Sequence, residues 1–192
     1  MSLFLILIGS ALVNNYIFTI FLGMCSYFGV SKTTESALGM GLSVIFVMTI
    51  ASAVTHLFYH HILVPLNIEY LQIIVFILTI AVLVQFVEMY LKKSFRALYT
   101  ALGILLPLIT VNCAILGVAL LNVKQPHTFL EAMANSLGAG LGYLLAILLL
   151  AGVREKSDYN TEVPAIFKGF PIALFTTGLM SIAFMGFQGL IK

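Results

Sequence analysis

The 192-residue chain is too apolar to be a water-soluble domain. Nine Lys and Arg and seven Asp and Glu residues make up only 8% of it, whereas hydrophobic residues make up 61% and the mean hydropathy is +1.13. Soluble domains carry about 25% charged residues, and a surface with so few charges would be one continuous greasy patch. A soluble enzyme, a disordered chain and a nucleic-acid-binding domain are therefore excluded, and lipid is the expected solvent.

Six apolar runs follow one another along the chain, each near the length of about 20 residues that crosses a bilayer. Short separators with charges, Pro or Asn divide them, and none is long enough to fold as a domain. We therefore expect a single all-α integral membrane domain, 1–192, with six transmembrane helices. The runs are Leu3–Met24, Leu38–Leu63, Leu71–Leu91, Leu98–Leu121, Leu130–Val153 and Phe167–Ile191.

The basic residues predict the orientation of the spans. The separators after runs one, three and five hold seven Lys and Arg residues, including Lys32, Lys92 and Arg154, whereas the other side has only Lys124 and Lys192. Positive residues in short loops stay in the cytoplasm. We expect a multi-pass protein of the bacterial cytoplasmic (inner) membrane with both termini on the outer side.

Two segments recur in the second half of the chain. Cys25-Ser-Tyr-Phe-Gly-Val matches Cys113-Ala-Ile-Leu-Gly-Val at an offset of 88, and the segment 36–42 resembles 135–141 at an offset of 99. Chance similarity among Leu- and Gly-rich helices is the alternative, but both cysteines of the chain lie in matching frames. Three runs per half is an odd number, so the halves (about 1–96 and 97–192) are expected to form inverted repeats.

Polar residues predict that spans one and four are interrupted, near Asn14–Asn15 and between Pro107 and Asn112. Such breaks would bring Cys25 and Cys113 towards the middle of the membrane, where irregular backbone is tolerated only if protein or a cofactor satisfies it. The two thiols either fill helix contacts or ligate a metal. An iron–sulfur or zinc site usually needs four thiolates or equivalents, so a second subunit would have to supply the others.

Several stretches carry a resemblance that covers essentially the whole chain. The sequence resembles the A subunits of Rnf complexes and, more distantly, the E subunits of sodium-pumping NADH–quinone reductases; the pair Asn14-Asn15 favours the Rnf members. The stretches are Leu12-Val-Asn-Asn-Tyr16, Phe21-Leu-Gly-Met-Cys25, the segment from Leu102 to Gly117 that contains Val-Asn-Cys-Ala, Gly152-Val-Arg-Glu-Lys156 and the segment from Gly178 to Gly186.

The resemblance implies a subunit of a ferredoxin:NAD+ oxidoreductase that couples electron transport to Na+ or H+ translocation. It implies that a homologous, antiparallel E-type subunit contributes two cysteines to an intramembrane [2Fe–2S] cluster and that Cys25 and Cys113 contribute the other two. The chain has no Gly-rich nucleotide loop, so FMN, further iron–sulfur clusters and NAD are expected only on B-, C-, D- and G-type partners. The alternatives are a quinone-reductase E subunit, a secondary transporter without a redox centre, and a scaffold.

Backbone amides near Gly23 and Gly117, with Asn112 nearby, are the expected hydrogen-bond donors around the cluster sulfurs. No catalytic residue is predicted on this chain.

Other polar residues have two interpretations each. Asn14, Asn15, Thr110 and Asn112 either line an ion path or hydrogen-bond neighbouring helices. Glu88 either pairs with Lys92 one helical turn away or relays an ion. His56 and His60 share a helix face, where an interfacial polar belt is favoured over a metal site.

Overall fold

The computed structural model describes residues 3–94, 106–125, 128–159 and 169–187, and almost all of these residues are helical. The chain is thus an all-helical protein, with no strand in the part that the structure describes. The helices are α1 (Leu3–Ile8), α2 (Tyr16–Ile20), α3 (Met24–Val30), α4 (Thr34–Phe58), α5 (Val64–Leu66), α6 (Gln72–Ser94), α7 (Leu106–Thr110), α8 (Cys113–Lys124), α9 (Phe129–Tyr159) and α10 (Phe170–Met185).

The described helices are mostly apolar, and some of them are as long as membrane spans. Three stretches are long enough to cross a bilayer, namely Thr34–Leu66, Gln72–Met89 and Phe129–Ser157, and three shorter apolar stretches are Leu3–Val13, Leu108–Lys124 and Phe170–Met185. Many of their large hydrophobic side chains point outward, such as Phe86 and Ile182, which are 70% and 69% exposed. A lipid environment accounts for that exposure, because apolar side chains are at no disadvantage there.

One helix extends well beyond its predicted apolar run. The charges after run five predict a connecting segment over Arg154–Ile166, but α9 continues to Tyr159, so the prediction for 154–159 is wrong. Hydropathy indicates where the lipid ends, whereas a helix continues for as long as its backbone hydrogen bonds form. The 31 residues of α9 span about 46 Å, which is longer than a hydrocarbon core of about 30 Å. The predictions for 98–105 and 160–168 lie outside the described residues.

Helices α4 and α9 form an antiparallel pair held by glycines. A Cβ on Gly140 would lie 2.9 Å from Ile45 Cγ1, and one on Gly41 would lie 3.3 Å from the Cα of Leu144, so only glycine permits this approach. The sequence offset of 99 places Gly41 in correspondence with Gly140, and Ile45 in correspondence with Leu144. The two contacts therefore exchange under this offset, as contacts across a two-fold axis do.

A buried polar network joins four of the helices. The Asn122 amide on α8 donates to Ser52 Oγ on α4 at 2.8 Å and to Ser136 Oγ on α9 at 2.9 Å. Asn135 Nδ2 donates to Asn122 Oδ1 at 2.6 Å, and the Tyr16 hydroxyl at the start of α2 donates to Asn135 Oδ1 at 3.3 Å. Because unsatisfied polar groups are costly in lipid, the network specifies how these helices pack.

Candidate cysteine site between two broken helices

The first apolar run is interrupted at Asn14 and Asn15. A π-helical turn, Gly9–Val13, ends where the Asn14 N–H donates to the Gly9 carbonyl at 2.7 Å. The Asn15 side chain caps α2 by accepting from Ile17 N at 3.1 Å, and its amide donates to the Gly142 carbonyl of α9 at 2.9 Å. Asn14 is exposed and Asn15 is buried, so Asn15 is the residue that ties this break to the protein core.

A second break in the same run lies just before Cys25, and no sequence signal predicted it. Phe21 and Gly23 have φ values of +58° and +85°, the left-handed region that favours glycine. A Cβ on Gly23 would lie 3.1 Å from Ala114 Cβ and 3.2 Å from Tyr143 Cε2. Cys25 consequently lies in the first turn of α3, in a new helix and not at the end of a continuous span.

The fourth apolar run breaks at Val111 and Asn112, within the interval predicted from the sequence. Helix α7 (Leu106–Thr110) includes Pro107, and the chain leaves it through the half-buried Thr110 and the exposed Val111. Asn112 then has extended backbone angles (φ −71°, ψ 114°), and its side chain caps α8 by accepting from Ala114 N at 3.0 Å. Cys113 is therefore the first residue of α8.

Hydrogen bonds join the two breaks that precede the cysteines. The Gly23 N–H donates to Cys113 Sγ at 2.9 Å, and Asn112 Nδ2 donates to Ser26 Oγ at 3.1 Å. The Ser26 hydroxyl also lies 3.0 Å from the Gly23 carbonyl and 2.7 Å from the Tyr143 hydroxyl. One network thus couples the start of α3 to the start of α8 and anchors both on α9.

Ser26 and Tyr143 belong to this network but were missed from the sequence. Both side chains are almost fully buried, at 0% and 2% exposed. Ser26 follows a cysteine and Tyr143 follows the closely packed Gly142, yet each looks like an ordinary residue of an apolar helix. The only feature of the sequence that could have indicated Ser26 and Tyr143 as site residues is that each is a polar residue inside an apolar span.

The two thiols lie at the surface of the chain. Both cysteines are free, Cys25 being exposed and Cys113 partly exposed. Among the described residues, no three His, Cys, Asp or Glu side chains are grouped so that they could hold a metal ion. Two thiols fit half of a four-thiolate site. The hydrogen bond from the Gly23 N–H to Cys113 Sγ is the type of contact that stabilises a metal-bound sulfur.

Gly117 packs against the first break from within α8. A Cβ there would lie 2.5 Å from Leu22 Cδ1, so this glycine accommodates the Leu22 side chain. The role predicted for the Gly117 amide, hydrogen bonding to cluster sulfur, remains a prediction.

The remaining predicted residues lie away from the cysteines in the chain. Glu88 is half-buried on α6, and the side chain of Lys92 lies outside the described part, so their pairing remains a prediction. The rings of His56 and His60 stack with centroids 5.0 Å apart, and His56 meets Phe129 edge-on at 5.7 Å. These contacts are those of an aromatic cluster at the end of α4.

The broken apolar helices define the class of this protein: an integral membrane protein whose apolar helices are interrupted, with hydrogen bonds that tie the breaks to neighbouring segments. Comparison with known proteins identifies the family. A model described as "Rnf-Nqr subunit, membrane protein" matches residues 3–191, and the chain belongs to this family. The resemblance inferred from the sequence is confirmed.

The chain is similar to A-type subunits of known complexes over almost its whole length. It is 54% identical over 190 residues to the A-type subunit of the Na(+)-translocating ferredoxin:NAD(+) oxidoreductase complex of Acetobacterium woodii, covering 99% of this chain and 98% of that protein. It is 52% identical over 188 residues to the A-type subunits of the ion-translocating oxidoreductase complexes of Aeromonas hydrophila and Vibrio cholerae, covering 98% of this chain and 97% of each relative.

Proposed function

We propose that this chain is the A-type membrane subunit of an Rnf-type, ion-translocating ferredoxin:NAD+ oxidoreductase. The names of its relatives support the oxidoreductase complex and the ion translocation. Within that complex, the proposed task of this chain is to carry electrons across the membrane through a [2Fe–2S] cluster, with Cys25 and Cys113 as two of its four ligands. The observation that carries this proposal is the hydrogen bond from the Gly23 amide to Cys113 Sγ, which joins the two cysteine-bearing breaks.

When bound, such a cluster would accept and release one electron. A cluster near the middle of the membrane would divide the electron's path across a hydrocarbon core of about 30 Å into two steps of roughly 15 Å. This chain's own residues would stabilise the negative charge that cluster-bound thiolates carry. The Gly23 amide donates to one sulfur, and the positive end of α8 lies at Cys113 itself. Asn112, Ser26 and Tyr143 hold the two helix starts in place.

The proposed architecture is a single domain of six spans built as an inverted repeat, 1–96 and 97–192. The exchange of the Gly41–Leu144 and Gly140–Ile45 contacts supports it, because an axis perpendicular to antiparallel helices reverses their direction in the membrane. The basic residues that follow apolar runs one, three and five support an orientation with both termini on the outer side of the cytoplasmic (inner) membrane.

The other two cluster ligands would come from a homologous E-type subunit that lies antiparallel to this chain. The exposed Cys25 and partly exposed Cys113 leave both thiols open to such a neighbour. Flavin, nucleotide and further iron–sulfur chemistry would belong to the B-, C-, D- and G-type subunits, with Na+ or H+ as the coupling ion.

The experiment is to co-produce the chain with its homologous partner, purify the pair without oxygen, and measure iron, sulfide and the EPR signal of the reduced pair. We expect two irons per pair from the proposed cluster, and loss of iron and signal in Cys25→Ser and Cys113→Ser. Ser43→Ala is the control, because the Ser43 hydroxyl donates to the Gly39 carbonyl of its own helix and to no other group among the described residues. A folded, iron-free pair would instead support a transporter or scaffold without a redox centre. Serine variants that keep the iron and the signal would show that Cys25 and Cys113 are not the cluster ligands.

A further inference from the structure

Helix α3 is held at its C-terminal end by a side chain from α9. Nη1 of Arg154 donates to the Phe28 carbonyl at 3.0 Å and to Ser31 Oγ at 2.9 Å. The last carbonyls of a helix have no partner within it, so this bond satisfies one of them. Phe28 lies one turn after Cys25, and Ser31 is fully buried.

The charge of Arg154 suits this position. A cation near the C-terminal end of a helix interacts favourably with the helix dipole, and charged donors form stronger hydrogen bonds than neutral ones. A residue that only set the membrane orientation would need no such partners. The neighbouring Glu155 and Lys156 are exposed, whereas Arg154 is half-buried against α3.

Both ends of α3 depend on α9. Tyr143 bonds to Ser26 near the start of α3, and Arg154 bonds to its end. With only seven residues and non-helical backbone on either side, α3 cannot hold its own direction. We propose that Arg154 is a positioning residue that fixes α3 and thereby the direction in which Cys25 presents its thiol to the partner subunit. The reference to a partner rests on the proposed function; the clamp on α3 does not.

The test measures the reactivity of each thiol separately. Full-length chain with Cys25 as its single cysteine (Cys113→Ser) is labelled with a small maleimide in membrane vesicles, and the chain with Cys113 as its single cysteine (Cys25→Ser) is labelled in parallel. We expect Arg154→Ala to raise the labelling rate of Cys25 by about three-fold or more, because a loosened α3 would more often carry this surface thiol out of the lipid and into contact with water. Cys113 lies on α8, so its rate should stay within about two-fold.

Two variants on α9 sharpen the comparison. Arg154→Lys retains a cation and a donor, so its Cys25 rate should fall between those of the parent and Arg154→Ala. Glu155→Gln should label like the parent, since Glu155 contacts Thr34 and not α3. An unchanged Cys25 rate in Arg154→Ala overturns the proposal, and so does an equal rise at both cysteines, which would indicate general loosening of the fold.

A second readout uses the assembled pair. If Arg154 only supports folding, correctly folded pairs with Arg154→Ala should give the parental EPR spectrum; the proposal expects the reduced-state g values to shift while iron remains bound. Labelling requires no iron. An iron-free pair would therefore remove the proposed function while leaving the labelling result to decide the role of Arg154.

Discussion

Replacing Gly23 with alanine tests the geometry that joins the two cysteine helices. The residue has φ +85°, and its N–H is bonded to Cys113 Sγ. An added methyl group would meet Ala114 Cβ at 3.1 Å and Tyr143 Cε2 at 3.2 Å. Neither neighbour can retreat easily, because Ala114 is part of α8 and the Tyr143 ring is buried.

Two costs add up in the Gly23→Ala variant. A residue with a Cβ loses about 1–2 kcal/mol in the left-handed conformation, and overpacking a closely filled site costs about 1–3 kcal/mol. Allowing for partial relaxation, we expect the free energy of unfolding to fall by about 2–4 kcal/mol. The backbone shift that relieves the contacts would also lengthen the bond from the amide to Cys113 Sγ.

Gly29→Ala is the matched control, because it lies on α3 and, apart from its chain neighbours and its own helix backbone, no described atom comes within 4 Å of the added Cβ. Alanine is favoured over glycine inside a helix by about 0.5–1 kcal/mol, so this variant should be as stable as the parent or slightly more so. The measurement is denaturant unfolding of the purified subunit pair in detergent, followed by circular dichroism. If the two variants differ by less than about 1 kcal/mol, the argument from backbone strain and close packing is refuted.

Two further substitutions test the polar contacts. Tyr143→Phe removes the hydroxyl that bonds to Ser26 and should lower the free energy of unfolding by about 0.5–1.5 kcal/mol. It should also shift the EPR spectrum of the reduced pair without loss of iron. An unaltered spectrum would contradict the place of Tyr143 in the site. Asn122→Ala leaves the Asn135 amide without its acceptor at 2.6 Å and should lower the free energy of unfolding by about 1–3 kcal/mol. Unfolding in the same detergent assay checks both values, and a fully stable Asn122→Ala variant would argue against the buried network.

The predicted interruptions show how far a local signal reaches. Asn15 and Asn112 are polar residues in apolar runs, and each caps a half-helix through its own side chain. That chemistry is local, since an Asn side chain competes with the helix backbone wherever it occurs. The break at Phe21–Gly23 had no comparable signal, because a phenylalanine in the left-handed region is held there by its surroundings and not by its own preference.

Arg154 shows what local sequence context leaves out. Its sequence context, a charged segment after an apolar run, predicted a connecting loop, and the basic residue was interpreted as a marker of orientation. In the structure it lies on α9 and bonds to the Phe28 carbonyl of α3, 126 positions earlier in the chain. A charge count along a sequence carries no information about a partner that only folding brings near.

The order of residues was enough to establish the solvent of this protein, its apolar runs and the matched frames of its two cysteines, because hydropathy and internal similarity can be measured on an unfolded chain. Which groups meet became known only from the folded chain: the Gly23 amide and Cys113 Sγ, Ser26 and Tyr143, and the exchanging contacts of α4 and α9. Those contacts depend on backbone breaks and on distances between remote segments, which no local pattern of residues encodes.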